Sequence, residues 1–143
     1  MADELHGYGV QLQMGDGGSP EVFAPVARVR KLNGPGVSVD TSDVTTLDSG
    51  KWKEFLDGLI DGGEVSFNIV FNPQEATHGP QSGLWKKMTE GGRHNFKVVF
   101  PDTSTLAFAA LVTKFTPDYD ETKEIAADIT LKVSGEITFT LPA

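Results

Sequence analysis

The sequence predicts a mainly β fold, an antiparallel β-sandwich or split barrel with one or two short flanking helices. Short apolar segments with a period of two recur along the chain, as half-buried strands require. Sixteen glycines and eight prolines supply many turns between them. The alternation of strands and helices that builds a parallel sheet is missing from the pattern. At 143 residues the chain is long enough for one core, so we expect a single domain, residues 1–143.

The first part of the chain contains three predicted strands. Tyr8–Met14 alternates apolar and polar residues, and Val22–Leu32 continues as an extended run in which Pro25 favours an edge position or a bulge. Val37–Thr46 is rich in valine and threonine, which also favours extended backbone.

A short amphipathic helix is predicted next. Four apolar residues are spaced at i, i+3, i+4 and i+7 and so share one helix face: Trp52, Phe55, Leu56 and Leu59. Gly58, Gly62 and Gly63 are suited to ending the helix. Because about two helical turns are marginal in water, we expect this apolar face to pack on the strand that follows, Val65–Phe71.

The second half continues the pattern. Ser82 is a possible cap for a second short helix through Leu84–Met88, which would end at Gly91. Four more strands are then predicted: Phe96–Phe100, Leu106–Phe115, Ile125–Val133 and Ile137–Leu141. Of these, Ile125–Val133 has the clearest single apolar face, opposed by Asp128, Thr130 and Lys132.

Residues with catalytic or metal-binding potential do not form a recognisable site. The sequence has no cysteine, which excludes thiolate metal sites. We expect the three histidines, His6, His78 and His94, to be scattered on the surface rather than to form a metal site. The acidic run at 118–124 lacks the spacing of a calcium loop, and Gly15–Ser19 lacks the lysine of a phosphate-binding loop. No serine has a nucleophile-elbow context. We therefore expect neither an enzyme nor a cofactor or metal site.

Composition also limits the location and partners of the protein. Met1–Val10 has neither the basic nor the apolar part of a signal peptide, and no later segment approaches a membrane span. We therefore expect no membrane association and folding in a reducing cytoplasm. A formal net charge of −8 argues against a nucleic-acid clamp, which needs positive surface.

Four segments resemble the tail tube (major tail) proteins of lambda-like siphophages. They are the extended segment, helix, glycine turn and strand of Asp43–Pro73, the strand Phe96–Asp102, the long strand Leu106–Pro117 and the terminal Ile129–Phe139. Their shared order extends the resemblance over residues 22–141. The last predicted strand lies close to Ala143, so we expect the immunoglobulin-like C-terminal extension of some family members to be absent.

The resemblance implies a structural virion protein, assembled in the host cytoplasm, whose hexameric rings stack into a non-contractile tail tube. Its partners would be other copies of itself, the tape measure protein and tail terminator or tip proteins. DNA would pass through during ejection without specific binding, and no cofactor is implied. The family uses a long loop between rings, which here corresponds to the connection Val37–Gly50. The candidate ring-stacking residues within it are Asp43, Val44, Thr45 and Thr46.

A lumen-lining face is predicted on the last two strands. A strand that lines a channel for DNA needs one packed face and one polar face that does not attract phosphate. The residues that meet this description are Asp128, Thr130, Glu136, Thr138 and Thr140. Lys132 is the exception, and we expect Asp128 or Glu136 to neutralise it. The outer surface remains an alternative location, because an antiparallel sheet can face water with its polar side.

Two other functions stay open at this point. One is a monomeric β-sandwich binding module for a carbohydrate or a protein, which size in solution would distinguish from a ring or tube. The other is the inner tube of a contractile tail or secretion system, which shares the architecture and differs by its sheath.

Overall fold

The computed structural model describes residues 9–18 and 20–142 as an antiparallel β fold with one α-helix, as the sequence predicts. Tyr8 and His6 lie outside the described residues. The elements in chain order are β1 Gln11–Gly15, β2 Phe23–Pro25, β3 Val29–Asn33, β4 Ser38–Asp43, a 3₁₀ turn Leu47–Ser49, β5 Phe55–Asp61, β6 Glu64–Val70, α1 Leu84–Glu90, β7 His94–Val99, β8 Thr105–Asp118, β9 Ala126–Val133 and β10 Thr138–Thr140.

Eight strands form one sheet in the order β2-β1-β7-β8-β9-β6-β3, with β10 as an additional partner of β8. The sheet curls so that β1 approaches β3 without pairing with it, and it is not closed into a barrel. β8 is the longest strand: its first half pairs with β7 and its second half with β9. The predicted Val22–Leu32 strand is in fact two strands, β2 and β3, separated by a turn.

The core lies inside the curled sheet. Alternate residues of β6, β8 and β9 point into it, which follows from the period of two. Val65, Ile69, Ile129 and Leu131 are fully buried there. On β9 the apolar residues from Ala127 to Val133 are buried and Asp128 and Lys132 are exposed, so the single-face prediction is confirmed for this part of the strand. Ile125 lies before β9 and is exposed, so its place on the apolar face is wrong.

Helix α1 covers one end of this core and confirms the second predicted helix. Leu84 is fully buried, and the Trp85 ring meets the Phe115 ring of β8 edge-on with centroids 5.5 Å apart. The helix begins after Gly83 without a side-chain cap, so the predicted capping role of Ser82 is wrong. Ser82 instead donates its hydroxyl to the Ala76 carbonyl at 3.2 Å.

The predicted helix containing Trp52, Phe55, Leu56 and Leu59 is wrong. Residues 55–61 form strand β5, which pairs with β4 as a separate two-stranded hairpin. The backbone of residues 55–61 bonds to β4, and Gly58 within this segment disfavours a helix. All four apolar side chains are exposed, Trp52 by 81% and Leu59 by 83%, so they do not pack on β6 in the subunit.

His78 also differs from the sequence prediction, because it is fully buried rather than on the surface. Its Nδ1 accepts a hydrogen bond from the Asn72 backbone N–H at 3.3 Å, so its Nε2 carries the hydrogen that is donated to the Ala27 carbonyl at 2.6 Å. The neighbouring Thr77 hydroxyl accepts from the Ala27 N–H at 3.0 Å. The two residues fasten the connection before α1 to the turn between β2 and β3.

Candidate functional site

The β4–β5 hairpin is the most unusual surface of the subunit. Every residue of β4 and of β5 is exposed, although the hairpin contains several large apolar side chains. Phe55 lies opposite Asp43, and Leu56 lies opposite Ser42. Because successive residues of a strand point to opposite faces, the hairpin is apolar on both of its faces.

This exposure is costly for an isolated subunit. A two-stranded hairpin alone is marginally stable in water, and contiguous exposed apolar surface marks an interaction site. Each large apolar side chain contributes about 1.5–3 kcal/mol when it moves from water into a buried site. The hairpin is therefore a candidate surface for contact with another molecule.

The predicted stacking residues are the last residue of β4, Asp43, and the three that follow it toward the hairpin tip, and all four are exposed. Asp43 accepts the Thr45 backbone N–H at 2.9 Å, and the Thr45 hydroxyl accepts the Glu54 N–H at 2.8 Å. Hydrogen bonds from the Thr45 hydroxyl and N–H lower the pKa of Asp43. Thr46 caps the 3₁₀ turn: its hydroxyl accepts the Asp48 N–H, and its own N–H donates to the Ser49 hydroxyl. These bonds give the tip a defined shape.

The outer face of the curled sheet is the second candidate surface. Lys132 lies opposite Leu111 of β8, and Thr138 lies opposite Ala107, so both point to the same side of the sheet. Asp128, Thr130 and Thr140 share this side by the alternation of β9 and β10. Four of the five predicted lumen residues are thus together on one polar face.

Glu136 and Lys132 differ from the lumen prediction. β10 does not pair with β9; it continues the line of β9 along the same edge of β8. Glu136 lies in the link between them, where it lines a groove near the hairpin base. Among the described residues Lys132 forms no salt bridge. The residue opposite Lys132 on the neighbouring strand β6 is Glu64.

The polar face has mixed charge rather than the acidic surface that the net charge suggests. The amide nitrogen of Asn68 donates a hydrogen bond to Asp128 at 2.7 Å. The amide oxygen of Asn68 accepts a hydrogen bond from the Nε of Arg30 at 2.9 Å. Arg30 also pairs with Glu124 at one end of this face. Two lysines, Lys97 and Lys132, add positive charge to this face. The ammonium group of Lys97 lies over the Phe23 ring. The face is polar and roughly balanced.

Metal binding and membrane crossing are the remaining possibilities that the described part of the chain can be compared with. Among residues 9–18 and 20–142, no three potential metal-binding side chains come together. The acidic residues after β8 form a turn in which Asp120 accepts the Thr122 N–H and hydroxyl, which lowers the pKa of Asp120. Within the same described ranges, no helix has the length and apolar character to cross a membrane.

Comparison with known proteins identifies the family. The sequence model of the lambda phage tail tube protein family matches residues 11–140. No curated protein matches the sequence significantly.

Three solved structures share the fold. A chain from the tail of an empty gene transfer agent particle with C6 symmetry is 20% identical, with a TM-score of 0.79, over 96% of this chain and 99% of that one. The SPP1 tail tube is 10% identical, with a TM-score of 0.73, over 97% of this chain and 80% of that one. A chain of the sheath-tube complex of an extracellular contractile injection system, PVC, is 13% identical, with a TM-score of 0.72, over 99% and 95%.

The family match extends from β1 to the end of β10 and so includes the hairpin and the polar face together. The chain belongs to the lambda phage tail tube protein family.

Proposed function

We propose that this protein is the self-assembling subunit of a non-contractile phage tail tube, in which hexameric rings stack into a conduit for DNA. The observation that carries the proposal is the β4–β5 hairpin, which is exposed and apolar on both faces. A monomer gains nothing from such a hairpin, whereas neighbouring copies would cover it. Family membership supports the same reading.

The assembly would follow from the shape of the subunit. The hairpin leaves the sheet at the Glu64 end of β6, whereas the acidic turn between β8 and β9 lies at the Val70 end. A contact between two unlike ends would be head-to-tail, and such contacts propagate when they do not close. The subunit would be a virion component assembled in the host cytoplasm, with the tape measure protein and terminator or tip proteins as further partners.

The test is the size of the purified protein over a range of concentrations. Sedimentation and electron microscopy should show rings and tubes above a critical concentration. A protein that remains a monomer at high concentration would support the binding-module alternative instead. The inner tube of a contractile system is a second candidate, favoured by the likeness to the PVC sheath-tube complex. Co-assembly with a sheath protein would distinguish it.

The predicted stacking residues remain a proposal for the contact between rings. Deleting Asp43–Thr46 should leave a folded sheet that no longer forms long tubes, because these residues shape the tip and lie outside the core. Thermal unfolding checks the subunit, and electron microscopy checks tube length. Tubes of normal length from the deletion variant would show that rings stack through other residues.

The lumen remains a proposal for the polar face. DNA would pass hydroxyl, amide and carboxylate groups, with the cations of this face partly held by neighbouring side chains. We expect Thr138→Cys to react with a bulky maleimide in the free subunit, where it is exposed, and to be protected in assembled tubes. Equal reaction in both states would place this face on the outside of the tube.

If that labelling places the face inside, Asp128→Lys with Thr138→Lys should assemble and slow DNA passage. The added cations would attract phosphate, so salt should weaken the effect. The ejection rate at low and high salt measures it. An unchanged rate at low salt would show that these residues do not meet DNA.

A further inference from the structure

We infer that the hairpin tip of one copy docks its Trp52 side chain into a groove at the hairpin base of another copy. This inference rests on the proposed self-assembly and assigns the contact that carries it. The tip segment is Lys51, Trp52 and Lys53, three exposed residues between the 3₁₀ turn and β5. Trp52 is 81% exposed, the largest apolar ring presented at the tip.

The base groove has the size and lining that such a ring needs. Its volume is about 950 Å³, and it lies between the base of the hairpin and the ends of β7, β8 and β10. Leu59, Phe100 and Phe139 are among its apolar lining residues, and Leu59 and Phe139 are themselves mostly exposed. Pockets of about 300–1,000 Å³ hold drug-sized ligands, so a single tryptophan side chain fits here with room for its flanking side chains.

The charges of the groove match those of the tip. Asp40, Asp61 and Glu136 also line the groove, and among the described residues none of these carboxylates is in a salt bridge. Within the same part of the chain Lys51 and Lys53 form no salt bridge either. An apolar ring between two lysines therefore faces an apolar groove that holds three carboxylates.

The occupant has to be a second copy. The groove includes the base of the hairpin, at Leu59–Gly62, whereas the tip lies at the other end of β5. Seven extended residues span about 23 Å, so a chain cannot fold its own Trp52 back into its own groove. A tip that fits only the base of a neighbour gives a heterologous contact, which repeats from copy to copy.

The other candidate receptor is the acidic turn after β8, which also carries the exposed Tyr119. Charge favours it as well, but it is a turn stabilised by its own hydrogen bonds, such as that of Asp120 to Thr122. It does not line the base groove and offers a tryptophan ring no comparable apolar cover. The groove satisfies both the apolar and the charged part of the tip.

Cross-linking in assembled tubes tests the contact directly, since the chain has no native cysteine. Lys51→Cys subunits would be mixed with Val37→Cys subunits, whose cysteine lies in the groove, and treated with a short bismaleimide. A matched mixture would pair Lys51→Cys with Tyr119→Cys. We expect the Lys51–Val37 pair to cross-link strongly and the Lys51–Tyr119 pair weakly.

Two further measurements make the result independent of cross-linker geometry. Trp52→Ala should raise the critical concentration for tubes about 30-fold or more, the loss typical of a buried aromatic anchor, with an unchanged subunit melt. The exposed Val22→Ala serves as its control and should change neither. Lys53→Glu and Glu136→Lys should each weaken assembly, and the double variant should recover part of the loss.

The outcomes separate this inference from the proposed function. Tubes that cross-link through Tyr119, or through neither site, would overturn the groove contact and leave the tail tube function standing. Wild-type protein that forms no tubes under any condition would overturn both. A charge swap without any recovery would also count against the groove.

Discussion

Replacing His78 with phenylalanine should destabilise the subunit by about 2–3 kcal/mol, although the new ring fills nearly the same space. His78 is fully buried and uses both ring nitrogens, one as acceptor from Asn72 and one as donor to Ala27. Phenylalanine can make neither bond. Each buried backbone group left without its partner costs about 1–3 kcal/mol, and both sites are partly rather than fully buried.

Part of the loss should be offset by packing. The ring of His78 lies 6.1 Å from the ring of Phe71, and a phenylalanine would keep that contact. The net effect should therefore be close to the sum of two modest hydrogen-bond losses rather than to that of a cavity. Urea unfolding of the unassembled subunit, followed by tryptophan fluorescence, should show a midpoint about 1–2 M lower.

His94→Phe is the matched control, because His94 is only partly buried and makes a single bond, from Nε2 to the Gly91 carbonyl at 3.1 Å. Its effect should stay within about 0.5 kcal/mol, as for most surface changes. Equal midpoints for His78→Phe and the wild type would refute the reasoning. They would show that the connection before α1 does not depend on these buried bonds.

Three other changes test the fold itself. Ile129→Ala should cost about 2–5 kcal/mol in a urea titration, since this fully buried side chain leaves a cavity in the core; a smaller loss would mean that the site collapses. Gly63→Ala should lower the melting temperature, because Gly63 has a φ of 71° and an added Cβ would meet the Gly36 carbonyl; an unchanged melt would contradict the strain. The pKa of Asp16 is lowered by backbone N–H groups, so its contribution exists above the usual 3.8 and is lost as pH falls through the lower folded value. Asp16→Asn should therefore reduce the acid sensitivity of unfolding below about pH 4, and identical acid profiles would exclude such a role.

The strands that could be predicted are those whose pattern is set by the subunit's own core. β9 shows a clean period of two because Ile129 and Leu131 point into one core while Asp128 faces outward. α1 was found because Leu84 and Met88 lie on one face that packs on the sheet. In both cases the buried face is covered by the same chain, so apolar residues recur along the sequence with the period of the strand or helix.

The hairpin could not be predicted in the same way. A ribbon that is apolar on both faces places Phe55 and Leu56 on opposite sides, and their spacing from Trp52 and Leu59 also fits a helix. Local sequence cannot tell whether an apolar side chain is covered by its own chain or by another. His78 gave no signal either, since its bonds are to backbone groups far along the chain, such as the Ala27 carbonyl.

The separation between the tip and the base of the hairpin gives any head-to-tail polymer of this subunit a direction. With tips docked in base grooves, one terminus of the polymer would always present free hairpin tips, and the other would always present empty base grooves. Growth rates at the two termini would differ, because an incoming subunit contributes its hairpin tip at one terminus and its base groove at the other. A capping protein that stops elongation would need to recognise only one of these two chemistries. The length of the filament could then be controlled at one terminus while the other stays attached to its starting point.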